Sequence, residues 1–249
     1  MAGLLTSLFK RAADLVWPRV CAVEGCGRVS DRPDRHLCSS CLAALPFHEA
    51  GGACQCCGRL VMAEARHAFV CEDCQRHPPP YACARSAVLY REPVDALVKA
   101  FKDHQATWLC ADLTDLLEGA VRGKLPFADI DVLVPVPLFP TQEHQRGYNQ
   151  SALLARELGR RLNRRADTAS LIRTRDTVEQ KSLSGEERRK NLEGAFAVPD
   201  PRFIRGRTVL LIDDVMTSGS TLTHCTLPLL AAGAAQVWCA TVARAVMRS

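Results

Sequence analysis

Two groups of residues in this chain have types and spacings that can do chemistry. The first is the stretch 209–221, Val-Leu-Leu-Ile-Asp-Asp-Val-Met-Thr-Ser-Gly-Ser-Thr. Its apolar start reads as a buried strand that delivers Asp213 and Asp214 at its carboxyl end, where open α/β sheets receive ligands. Val215 and Met216 lead into a turn of small residues, Thr217, Ser218, Gly219, Ser220 and Thr221, with a helix expected from about Ser220. Backbone N–H groups in such a turn converge on an anion, and the helix N-terminus adds a favourable dipole. Gly219 permits a close approach or a positive φ. Two carboxylates beside an anion cradle repel the ligand unless they meet its hydroxyls or a cation. Ribose hydroxyls and Mg²⁺ answer that difficulty. The plainer alternative, a surface acid pair with a helix cap at Thr217 or Ser218, leaves the order of strand, acids, turn and helix unexplained.

The second group is the cysteines. Nine of the thirteen fall between Cys21 and Cys74, in two similar halves. Cys21-x4-Cys26-Gly precedes Cys38-x2-Cys41, and Cys54-x2-Cys57-Gly precedes Cys71-x2-Cys74, an internal repeat. Such knuckles present paired thiolates, and two knuckles make the tetrahedral site Zn²⁺ prefers. The simplest assignment gives one structural zinc to Cys21, Cys26, Cys38 and Cys41, and another to Cys54, Cys57, Cys71 and Cys74. Spacing alone leaves an interleaved pairing open. Cys56 reads as a bystander.

The elements around these groups follow from composition and periodicity. The 249-residue chain is 47% hydrophobic and 24% charged, which predicts an ordinary core, and its formal charge of +5 fits an anionic ligand without arguing for nucleic acid. Residues 1–18 read as an amphipathic helix ending at Pro18. Residues 19–80 are rich in Cys, Gly and Pro and lack the apolar content for a core of their own, so metal must supply stability. From 81 to 249, strands alternate with helices. Strands are expected near 84–90, 131–138, 168–174, 208–215 and 235–243, and helices over 92–103, 107–120, 149–163 and from Ser220, with a short one from Gly185. That alternation predicts a doubly wound, mostly parallel sheet. No apolar run is long enough to span a membrane, and the reading is a cytoplasmic protein with reduced thiols. Trp108 and Tyr90 could stack on a base, but each reads more readily as core.

The stretch 209–221 resembles the phosphoribosyl pyrophosphate motif of type I phosphoribosyltransferases. Its neighbours narrow the resemblance to the ComF family. Val-Pro-Val-Pro at 134–137, followed by Arg146-Gly-Tyr-Asn-Gln150, is similar to that family's core segment. Gln180, Arg188 and Asn191 resemble a second segment, and the paired knuckles resemble its N-terminal double zinc ribbon. The resemblance implies that Asp213 and Asp214 contact ribose hydroxyls directly or through Mg²⁺, and that Thr217 to Thr221 hold the 5′-phosphate. It places a pyrophosphate loop after Val134–Pro137 and a lid over 174–191, with Arg146, Lys181 and Arg188 as candidate cations for pyrophosphate. Two implied functions compete. One is Mg²⁺-dependent phosphoribosyl transfer to an acceptor the sequence does not name. The other is a non-catalytic role in competence and DNA uptake, with the zinc segment touching single-stranded DNA or a helicase partner; a basic helix with Arg156, Arg160, Arg161, Arg164 and Arg165 fits weak phosphate contact and equally a solvated helix face. Two departures from the family pattern are the wider first knuckle and the Phe-Lys-Asp-His at 101–104, where an aromatic is usual.

Overall fold

The computed structural model describes residues 18–48, 52–60, 69–176 and 192–246. The helix expected over 1–18, the short helix from Gly185, Lys181, Arg188 and most of the expected lid lie outside them.

The cysteine-rich segment folds as two matching halves. Val20 bridges Val29 in the first and Ala53 bridges Leu60 in the second, both antiparallel. Each half then enters a five-residue helix, α1 (Ser39–Ala43) and α2 (Glu72–Arg76), through a cysteine N-cap of nearly identical backbone: φ −69°, ψ 156° at Cys38 and φ −68°, ψ 155° at Cys71. The internal repeat of the sequence is thus a repeat of structure.

Beyond Tyr81 the chain builds a parallel sheet. Strand β1 (Cys83–Tyr90) is followed by α3 (Val94–Asp103), a single turn at Thr107–Leu109 and α4 (Cys110–Lys124). Strand β2 (Val132–Pro135) leads into α5 (Pro140–Arg146) and α6 (Gln150–Leu162), then the edge strand β3 (Arg165–Ala166). A two-residue antiparallel pair, β4 (Ile172–Arg173) with β5 (Phe196–Ala197), lies apart from the sheet. Strand β6 (Thr208–Met216), α7 (Ser220–Ala231) and β7 (Gln236–Ala245) complete it. The order is β1-β7-β6-β2-β3, with every pairing parallel.

Both faces of this sheet are covered, which is why its strands are almost uniformly apolar. In β6, Leu210 and Ile212 join one core with Phe101 of α3, Leu113 and Leu117 of α4, and Leu154 and Leu158 of α6. Val209 and Leu211 point into the other, with Leu222, Cys225 and Leu229 of α7. The two cysteine halves divide between these cores. Leu37 and Leu45 pack into the first, while Cys54, Cys57, Cys71 and Cys74 are part of the second. Buried Asp112 on α4 fastens the first half, accepting from the backbone N–H groups of His36 (2.8 Å) and Leu37 (3.1 Å) and from Arg32 (3.2 Å).

The structure corrects three expectations. The strand expected over 168–174 does not enter the sheet. The edge position goes to Arg165–Ala166, and Asp167 then turns the chain by accepting from the N–H groups of Ala169 and Ser170. The strand expected over 131–138 ends at Pro135, and after a short loop Pro140 opens the helix α5. Trp108 is 49% exposed and lies against His36, ring centroids 4.4 Å apart, rather than in the core. No helix among the described residues is long and apolar enough to cross a membrane.

Candidate functional site

The two acids and the small-residue turn meet at the carboxyl end of β6. Asp213 and Asp214 are 8% and 5% exposed. The Ser151 hydroxyl, from the first turn of α6, donates to Asp213 Oδ1 at 3.0 Å, and the Asp214 backbone N–H donates to the same oxygen at 3.0 Å. Asn149 places Ser151 by capping α6, its side chain accepting from Ala152 N–H at 3.1 Å and donating to the Val136 carbonyl at 3.0 Å. Asp214 Oδ1 accepts from the Val215 N–H at 2.8 Å, but Asp214 Oδ2 is buried with no hydrogen-bond partner among the described residues. A buried carboxylate oxygen left alone is costly, so it marks a position that an incoming donor or cation can satisfy. Burial raises the Asp213 carboxyl above the ordinary carboxylate range, and neighbouring Asp214 raises it further. The Ser151 hydroxyl, the Asp214 N–H and the Lys102 ammonium oppose that rise without cancelling it.

The turn after β6 has the form an anion cradle needs. Thr217 is exposed, Ser218 half-buried and Ser220 buried. Gly219 has φ +87° and is the residue before α7. A Cβ there would sit 2.7 Å from Met216 Cε, the flexible end of that side chain, and 3.2 Å from the Tyr81 hydroxyl, so it is φ that calls for glycine. The Ser218 and Ser220 hydroxyls are 2.9 Å apart, and Ser218 Oγ also accepts from the Ser220 N–H at 3.3 Å. Thr221 lies in the first turn of α7. Arg146 ends α5, donating to Gln150 Oε1 at 2.6 Å and lying 3.7 Å from Asp103. The structure thus brings Asp213, Asp214 and residues 215–221 together at one sheet end and holds Arg146 on neighbours of its own.

The eight paired cysteines form two clusters, each with its four Sγ atoms within 4.8 Å of one another: Cys21, Cys26, Cys38, Cys41 and Cys54, Cys57, Cys71, Cys74. The pairing is sequential, not interleaved, and the wider first knuckle closes as well as the second. The Cys26–Cys38 and Cys57–Cys71 sulfurs are 3.9 and 3.7 Å apart. These match the edge of about 3.8 Å for a tetrahedron with Zn–S bonds of about 2.3 Å, and are far from a disulfide. All thirteen cysteines are free thiols. The sulfurs are also supplied with donors, as outer-shell groups of zinc sites are. Cys38 N–H reaches Cys21 Sγ at 3.5 Å, and Cys71 N–H reaches Cys54 Sγ at 3.3 Å. Arg28 Nε donates to Cys26 Sγ at 3.4 Å and holds that thiol down to about 6. Gly58 (φ +69°) closes the second knuckle, where a Cβ would come 2.9 Å from the Ala84 carbonyl oxygen of β1. The donor set, four thiols with no open position, fits structural zinc.

Comparison with known proteins agrees with this division of the chain. The phosphoribosyl transferase domain model matches residues 149–247, and the double zinc ribbon domain model matches residues 12–76. Competence protein F of Haemophilus influenzae is 34% identical over 198 residues, covering 75% of this chain and 80% of its own. The DNA utilization protein YhgH of Escherichia coli (strain K12) is 33% identical over 226 residues, 88% of each chain. The chain belongs to the ComF family. Competence protein ComFC of Bacillus subtilis is a more distant relative, 29% identical over 77% of this chain and 76% of that one. Membership accounts for both halves of the site at once, the paired cysteine knuckles and the acid-and-glycine turn.

On the basic helix face, Arg160 and Arg161 pair with carboxylates, whereas Arg156, Arg164 and Arg165 rest on a hydroxyl, on carbonyls and on a ring. Arg161 is 11% exposed and pairs with Asp115 (2.6 Å), Glu157 (2.8 Å) and Glu118 (3.4 Å). Arg160 pairs with Glu157 at 2.8 Å, and Arg164 donates to the Ile130 and Ala128 carbonyls. Arg165 lies over the Phe203 ring, and Arg156 reaches Thr168 at 3.4 Å. Sequence reasoning missed Ser151, Tyr81 and Arg244. Only the last carried a signal, a lone charge in the mostly apolar run 237–245.

Proposed function

We propose that the chain binds phosphoribosyl pyrophosphate, or a related ribose 5-phosphate, with its phosphate on Thr217–Thr221 and its ribose hydroxyls on Asp213 and Asp214. The observation that supports this most is the buried, partnerless Asp214 Oδ2 next to a turn whose Gly219 takes a positive φ. A buried carboxylate oxygen lacking a donor, beside a small-residue turn at the start of a helix, is complementary to a sugar that carries hydroxyls beside a phosphate.

The same orphan oxygen fits Mg²⁺, for which Asp214 and Asp213 are the candidate ligands. When bound, Mg²⁺ would neutralise charge on a departing pyrophosphate. The chain's own contribution is to position. Ser151 fixes the Asp213 carboxylate, Asn149 fixes Ser151, and the turn holds the 5′ end of the ligand. Transfer would break the bond between the anomeric carbon and pyrophosphate oxygen, with the bonding pair leaving on pyrophosphate. An acceptor nucleophile would then bond to that carbon and lose its proton. The centre passes through an oxocarbenium-like state, so electrostatic stabilisation and water exclusion matter more than a covalent nucleophile.

The names of the relatives place those proteins in competence and DNA use, and we propose the same setting for this chain. On α6 the Arg161 charge is taken up by carboxylates, so a nucleic-acid partner there would meet mainly the exposed Arg156 and Arg160.

Calorimetry with phosphoribosyl pyrophosphate and Mg²⁺ tests the site. The wild-type protein should bind, and Asp213→Asn with Asp214→Asn should bind more weakly by about 100-fold or more, since two hydrogen bonds to charged groups are lost at about 1.5–3 kcal/mol each. Unchanged affinity in the double variant contradicts the assignment. Release of pyrophosphate on adding an acceptor separates an enzyme from a binding module.

A further inference from the structure

Arg244, near the end of β7, is paired in register with Met216 of β6 and is only 3% exposed. Its Nη1 donates to the Cys57 carbonyl at 2.7 Å and lies 2.7 Å from Met216 Sδ, while Nη2 donates to Cys57 Sγ at 3.6 Å. One buried side chain therefore touches a cysteine of the second cluster and the residue that opens the phosphate turn. Tyr81, also buried, backs the same turn from the cysteine-rich side, its hydroxyl 3.2 Å from the place a Gly219 Cβ would take.

The charge of Arg244 calls for an explanation. A buried guanidinium is costly unless its charge is met. Among the described residues, its hydrogen-bond partners are a carbonyl, a thioether and a thiol, with no carboxylate at ion-pair distance. Four cysteine thiolates around Zn²⁺ carry a net charge of about −2, which supplies the missing counter-charge at Cys57. The first cluster lacks this link to the turn. Its arginine, Arg28, reaches Cys26 and Cys41 from an exposed position.

We infer that Arg244 is a positioning residue that couples zinc at Cys54, Cys57, Cys71 and Cys74 to the phosphate-binding turn at Met216–Ser220. With zinc bound, the guanidinium is drawn onto Cys57 and holds Met216, and through it Gly219, in the anion-binding form. The inference rests on the reading of that turn as a phosphate site. Coupling of this kind is reciprocal: if zinc strengthens ligand binding by some factor, ligand strengthens zinc binding by the same factor.

The test uses the intact, zinc-loaded protein and a chelating dye that competes for its metal, with ribose 5-phosphate as the ligand. Saturating ribose 5-phosphate should shift the competition curve of one of the two zinc ions by about fivefold or more and leave the other unmoved, the first cluster serving as internal control. In Arg244→Met, checked for folding by its thermal transition, the protected zinc should lose that response. The wild-type measurement needs no variant, so it stands even if Arg244→Met does not fold. Ribose 5-phosphate that binds by calorimetry yet shifts neither zinc, or both equally, overturns the coupling alone. Persistence of the shift in folded Arg244→Met overturns the role of Arg244. Failure of the zinc-loaded wild type to bind ribose 5-phosphate at all contradicts the phosphate site itself.

Discussion

Ser151→Ala removes one hydroxyl and tests whether the Asp213 carboxylate is the group that receives the ligand. Ser151 is fully buried, and its Oγ donates to Asp213 Oδ1 at 3.0 Å. That bond favours the ionised form of a carboxyl already raised by burial and by Asp214. A hydrogen bond to a charged group is worth about 1.5–3 kcal/mol, so its loss should raise the Asp213 pKa by about one to two. Ribose hydroxyls need a carboxylate to accept their protons, so binding should strengthen as pH rises through the Asp213 pKa. In Ser151→Ala that rise should come at higher pH by the same amount. Calorimetric affinities for ribose 5-phosphate from about pH 6 to about pH 10 would resolve the displacement. The variant should bind about 10-fold or more weakly on the acid side and approach wild type at the alkaline end. An unmoved midpoint refutes the argument. The same carboxyl also bears on folding. Its raised folded pKa gives stability that is full below the ordinary carboxylate range and lost as pH climbs through the raised value, because the native chain keeps a proton the unfolded chain has released.

Other perturbations follow from the same geometry. Gly219→Ala forces a residue at φ +87° against Met216 and Tyr81; it should cost about 1–2 kcal/mol in thermal or denaturant unfolding, and more than that in ligand affinity. Metal analysis should find about two zinc ions per chain, falling to about one in Cys26→Ser and in Cys57→Ser. Arg161→Ala removes the cation shared by Asp115, Glu118 and Glu157, but Arg32 and Arg35, Arg122 and Arg160 stay on those carboxylates, so denaturant unfolding should show a loss of about 1–2 kcal/mol. If single-stranded DNA binds the α6 face, Arg156→Ala with Arg160→Ala should reduce the salt dependence of that binding, and an unchanged salt dependence places the DNA elsewhere.

What was legible in the sequence was what is coded locally. The run Val209–Ile212 with its acids and the small turn could be read because strand, turn and helix start are contiguous. The cysteine repeat could be read because ligand spacing within each knuckle is short. Partners brought together by the fold could not. Arg161 looked like a solvated helix cation because Asp115 and Glu118 lie far back on α4. Ser151 gave no sign of Asp213, and Arg244 gave no sign of Cys57, 187 residues earlier. The misread strand at 168–174 had suitable apolar content at Leu171 and Ile172. It failed because the turn at Asp167 ended the sheet edge, leaving Ile172 38% exposed and paired with Ala197 instead. Trp108 was misread because an apolar ring suggests a core, whereas here it covers His36 at the surface.

The most direct test of the central claim is a crystal structure of the protein soaked with ribose 5-phosphate. Phosphate density against the backbone of Thr217–Thr221, with a ribose hydroxyl at hydrogen-bond distance from Asp214 Oδ2, is the predicted result. A ribose phosphate bound in the same crystal at another place, with that corner unchanged, would contradict it.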